Sequence, residues 1–176
     1  APPTPPPAPS TNALSTVDDR DDEDDDFDVF GDDEQEQGDF EYDLPSYLEP
    51  HLNDLRAAVA AYEEREYGNP FSTEVAPPPA PERLAADHAL VVALAARLEK
   101  SDNAEDAVAA LDERFSGLVY DWFSDVAFNL AESGKVDAGV ALAVRLAKVL
   151  DAEDEYLGDA ASMLARAGRR EEAVRY

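Results

Sequence analysis

With 176 residues and a net charge of −27, the chain is long enough for one folded domain plus tails, and its field has the wrong sign for direct contact with nucleic-acid phosphates or an anionic membrane surface. It has no cysteine, which excludes a disulfide framework or thiolate metal site within the chain and suits the cytoplasm. No apolar run approaches the roughly 18 to 20 residues that cross a bilayer, and the opening residues are prolines rather than a basic stretch before an apolar core, so neither a membrane span nor a leader is expected.

Composition changes along the chain. Ala1 to Pro9 is proline-rich and favours polyproline II, the conformation of a stiff linker. Asp18 to Asp43 holds 16 acids against Arg20 alone, punctuated by Phe27, Val29, Phe30, Phe40 and Tyr42. Such a block cannot bury enough apolar surface to offset its ordering entropy, so residues 1–43 are expected to be a disordered tail. Asp26, Asp28 and Gly31 match the start of a calcium loop, but Phe30 stands at its fifth position and Gln37 at its twelfth, where a bidentate Glu is needed, so no metal site is predicted. The alternation of acids with aromatics reads as a solvating tail, or as a segment that docks on a basic, partly apolar surface. The chain opens on Ala1 and closes on Tyr176 inside a helical pattern, which reads as a processed product or a fragment.

The folded part is expected from Leu44 onward. A first helix starts at Ser46, with Glu49 three residues later completing a capping box, and runs over residues 44–68 through the apolar stripe Leu48, Leu52, Leu55, Val59 and Tyr62. Gly68 and Pro70 end it, and residues 69–81, around Ala76 to Pro81, form a proline-rich spacer. A second helix covers Glu82 to Lys100, with Leu84, Val91, Leu94 and Leu98 facing a core. A third follows Asn103 and carries Val108, Leu111 and Phe115. A fourth runs from Val119 to Glu132, a fifth from Val136 to Leu150, a sixth from Glu153 to Ala167, and a seventh starts near Arg170. His51 and His88 have no partner at metal-ligand spacing and read as ordinary helix residues.

The last third repeats itself. The segment Ala131 to Val140 returns as Ala165 to Val174, with Gly134 and Gly168 separated by 34 positions, and at the same offset Asp125 meets Asp159, Ala127 meets Ala161 and Leu130 meets Leu164. A helix, a glycine-marked turn and a second helix at this period make stacked helical hairpins. The second and third helices read as a degenerate copy, with Ala107 in the place of Gly139. Small residues at Ala127, Ala138, Gly139 and Ala143, then Ala160, Ala161 and Ala173, let paired helices approach, while Phe123, Leu130, Leu142 and Leu146 fill the gaps between hairpins.

In this pattern Tyr120 to Tyr176 resembles tetratricopeptide repeats. The family's bulky, leucine, small and aromatic places of the first helix hold Phe123, Val126, Ala127 and Leu130, then Leu157, Ala160, Ala161 and Leu164, and the aromatic place of the second helix holds Ala143. The small place of the second helix holds Gly139, then Ala173, and the proline that usually closes a repeat is Asp151. The resemblance implies an all-α superhelix of antiparallel hairpins over residues 82–176, whose first helices line a concave groove for a peptide. The groove places fall on Asp121, Ser124, Phe128 and Glu132, then Glu155, Gly158, Ser162 and Arg166. The Lys and Asn with which one branch grips C-terminal carboxylates are missing, so a basic or amphipathic protein segment is the expected partner. With two scattered histidines and no phosphate-binding glycine loop, no catalytic residue, cofactor or metal is predicted. The rival reading makes residues 18–43 the working part, a polyanion mimic that escorts a basic protein.

Overall fold

Every regular element among the described residues is helical. The computed structural model describes residues 43–68 and 76–176. The expected tail (apart from Asp43), with its calcium-loop and escort readings, and residues 69–75 of the spacer lie outside them. A 3-10 helix at Ser46–His51 leads into α1 (Leu52–Tyr67). Then come α2 (Pro81–Leu98), α3 (Ala104–Arg114), α4 (Val119–Glu132), α5 (Val136–Val149), α6 (Glu153–Arg166) and the short α7 (Arg170–Ala173).

The entrance to α1 departs from the expectation. Ser46 does not cap a helix; Pro45 occupies the cap position, no side chain bonds the free amides, and the first six residues wind as a 3-10 helix. Pro50 is the reason. In an α-helix capped at Ser46 its missing N–H and its ring would fall where the first i→i−4 bond is due, and the α-helix proper starts only past it, at Leu52. By contrast, Pro81 sits at the first position of α2, where no amide partner is needed.

The turns from α4 to α5 and from α6 to α7 follow from their glycines. Lys135 N–H reaches Leu130 O at 2.9 Å and Gly134 N–H reaches Ala131 O at 3.0 Å, while Arg169 N–H reaches Leu164 O at 2.8 Å and Gly168 N–H reaches Ala165 O at 3.0 Å. This paired bonding closes a helix around a left-handed residue, and φ is +87° at Gly134 and +80° at Gly168. Asp151 takes the same place after α5 without being glycine, at φ +50°. The start of α4 is held from outside: Asp112 on α3 accepts the Val119 N–H at 2.8 Å and the Tyr120 N–H at 3.3 Å. The sequence pattern gave no hint of this cap.

One apolar core runs from Leu48 to Leu164, with Trp122, Phe123 and Tyr156 its largest fully buried side chains. α5 packs between α4 and α6, and α7 packs on α6. Gly139 sets the α4–α5 spacing, because a Cβ there would lie 2.5 Å from the Ala127 carbonyl oxygen, 3.0 Å from Met163 Sδ and 3.2 Å from Ala131 Cβ. The expected hairpin of α2 with α3 is not built this way. α2 packs on α1, α4 and α5, whereas α3 packs on α4. No glycine follows α2; its chain leaves through short i→i−3 bonds at Lys100 and Ser101, so α3 is not folded back along it.

Two substitutions test these turns and contacts. Gly139→Ala should gain about 0.5–1 kcal/mol of helix propensity and lose about 1–3 kcal/mol to overpacking against a backbone oxygen that cannot swing aside. A net loss is expected in denaturant unfolding. A Cβ at Gly168 would meet no atom within 4 Å, so the cost of Gly168→Val is chiefly conformational, about 1–2 kcal/mol; an unchanged Tm would contradict the left-handed turn.

Candidate partner-binding groove

α4 and α6 lie side by side, parallel and in register. The contacts between them pair Tyr156 with Tyr120, Asp159 with Ser124, and Arg166 with Glu132, so position advances along both helices together at close to the repeat offset. This alignment gathers the residues singled out in the sequence into two groups.

The first group is acidic. Ser124 Oγ donates to Asp159 Oδ2 at 2.8 Å, and the exposed Asp121 and Glu155 stand beside them. Burial raises the pKa of the Glu155 carboxyl most, and the like charges of Asp159 and Asp121 beside it raise it further. Among the described residues no basic side chain forms an ion pair with Asp121, Glu155 or Asp159. Asp159 was not among the predicted groove residues, although its position one turn beyond Glu155 on α6 could have suggested it.

The second group is built on Phe128. Its ring is half-buried, packed against the core at one side and covered by the Arg166 guanidinium, whose carbon stands 5.0 Å from the ring centroid. Arg166 Nη1 also approaches Glu132 Oε1 at 3.4 Å. Phe128 is therefore neither a free anchor nor a core residue: it is a fixed platform at the rim. Beneath it a cleft of about 260 Å³ is lined by Ala131, Val136 and Met163 as well as by Phe128, Glu132 and Arg166. Ser162 and Gly158 are exposed on α6 and join neither group.

Two further cavities border α4. A cleft of about 670 Å³ opens between Pro78 to Pro81 and the end of α4 at Asn129, Glu132 and Ser133, so Glu132 stands on the wall between both clefts. A smaller polar cavity of about 150 Å³ lies among α1, α2 and α4. There Arg65 pairs with Asp125, whose other contact is Asn129 Nδ2 at 2.8 Å. Burial pushes the Asp125 carboxyl up and Arg65 pulls it down, the burial being larger. Arg83 Nε lies 2.8 Å from Asp87 Oδ1 but out of line for a hydrogen bond, and the buried Trp122 Nε1 has no partner among the described residues. This cluster fastens α1 onto α4.

Among the described residues, no group of three or more His, Cys, Asp or Glu side chains is arranged to hold a metal ion, and no helix is long and apolar enough to cross a membrane. Compared with protein-family models, curated proteins and solved structures, the chain matches none.

Phe128→Ala should lower stability by about 1–2 kcal/mol, below the 3–5 typical of a fully buried Phe, because only one side of the ring is in the core. Asp125→Ala leaves Arg65 without its partner across α1 and α4 and should destabilise by about 1–3 kcal/mol. Urea unfolding of both variants checks the order.

Proposed function

We propose that this chain is a non-catalytic interaction module of tetratricopeptide-like hairpins, which binds a basic or amphipathic protein segment along the seam of α4 and α6. The observation that carries this reading is the in-register pairing of α4 with α6, which collects Asp121, Ser124 and Glu155 at one end and Phe128, Glu132 and Arg166 at the other. Carboxylates without basic partners beside an aromatic platform match a segment that carries an apolar residue next to Lys or Arg, since opposite charge guides encounter and a buried aromatic supplies affinity. The absence of cysteine fits a reducing compartment such as the cytoplasm.

Fluorescence anisotropy with a labelled, acetylated and amidated peptide of alternating Arg and Leu tests the groove. Asp121 and Glu155 are exposed, so reversing both to Lys should spare the fold and weaken binding about tenfold or more, with a steep dependence on salt. Equal affinity would remove the groove from the account. Deleting residues 1–43 separates the rival escort reading, which requires binding to collapse, from the groove reading, in which it survives.

The pH dependence has a definite sign. Glu155 titrates above the ordinary carboxyl range, so as pH falls through that raised value it takes up a proton that a cationic ligand disfavours. Affinity for the basic peptide should therefore fall as pH is lowered from about 7 towards about 4.5, and Glu155→Gln should flatten the profile.

A further inference from the structure

Arg166 occupies the groove in the way a partner's own side chain could. Its guanidinium stacks over a ring that the core holds still, one of its amino groups faces Glu132, and the apolar wall of the cleft at Val136 and Met163 lies alongside. Its side chain is nevertheless 67% exposed and that of Glu132 58%, so the ion pair is screened, and both it and the contact with the ring hold Arg166 only weakly. Resting on the groove reading above, we propose that this face recognises an arginine of the partner, stacked on Phe128 against Glu132, and that Arg166 is an internal stand-in which that arginine displaces.

The choice of arginine over lysine follows from the platform. A planar guanidinium can lie flat on the ring while its amino groups reach a carboxylate at the edge, whereas an ammonium makes a point contact with one or the other. The acidic group at Asp121, Glu155 and Asp159 then selects a second base. Phe128 and Asp121 are seven residues apart on α4, about 10 Å at the rise of an α-helix. Three residues of polyproline-like chain cover about 9 Å and return a side chain to the same face. The preferred partner segment is therefore extended, with an arginine, two intervening residues and a second basic residue, and an apolar neighbour of the first arginine enters the cleft.

The test uses the full chain and two labelled, acetylated and amidated peptides, Ala-Leu-Arg-Ala-Ala-Arg-Ala and its double-lysine counterpart. A stack of this kind at an exposed site amounts to roughly a two- to fivefold effect on binding. Arg166→Gln should therefore bind the arginine peptide about two- to fivefold more tightly than the unaltered chain, with a smaller gain for the lysine peptide. Arg170→Gln, which removes the same charge from an exposed position on α7, should give little gain with either. An equal gain for both peptides, or the same gain from Arg170→Gln, would reduce the effect to bulk charge and overturn the stand-in. Weaker binding by Arg166→Gln would also overturn it, by making Arg166 a partner contact. If neither the unaltered chain nor Arg166→Gln binds either peptide, the groove reading itself fails.

Discussion

The approach of α5 to the backbone of α4 at Gly139 is the constraint from which the rest of the helical stack follows. With hydrogen in place of a methyl group, the Ala127 carbonyl comes so near that any larger residue must part the two helices. That approach lets Ala143 and Ala147 bury fully, and it brings Met163 of α6 against the same spot. α4 and α6 are thereby brought to the two sides of α5 at a spacing that lets Ser124 reach Asp159 and Arg166 reach Glu132. The ring of Phe128 thus owes its place at the α4–α6 seam to a glycine on a different helix.

Charge is the second organising condition. A chain this acidic folds against its own repulsion, and several of its bases pair with carboxylates where elements meet. Arg65 joins α1 to α4, Arg145 forms a two-pronged pair with Glu99 at 2.7 and 2.9 Å between α5 and α2, and Arg169 bridges Asp137 and Glu172 around the last turn. Exposed pairs of this kind contribute little each, about 0–1 kcal/mol. Their larger consequence is distributive: carboxylates at the element contacts are neutralised, while Asp121, Glu155 and Asp159 keep their full field at the α4–α6 seam. Arg166 pairs with Glu132 across α4 and α6 and also covers the ring of Phe128.

Burial on α6 departs from the repeat pattern. Leu157 and Ala161 hold the places that Phe123 and Ala127 hold in the preceding hairpin, yet they are only partly buried. The deep positions on α6 are instead Tyr156, Ala160, Met163 and Leu164, turned towards α4 and α5. Burial here follows the neighbour that is present rather than the repeat register.

Much of this was legible in the residues because helices announce themselves locally. The periodic apolar positions and the two glycines placed α4, α5 and α6 within a residue of their observed bounds, and most of the predicted interior is buried. Trp122, the largest core side chain, escaped the reading since the repeat comparison favoured its neighbour Phe123. The capping box at Ser46 failed because Pro50 acts through backbone geometry that a spacing rule ignores, and the α2–α3 hairpin failed because one matching small residue does not make a turn. The groove was legible only as a set of places on two helices. Which of those residues meet depends on the distance and register between helices 34 residues apart, and those are fixed by contacts at Gly139 and Met163 that involve a third helix. Sequence determined the helices and their chemistry; packing alone decided that Arg166 lies on Phe128 and that the unpaired carboxylates share one end of the seam.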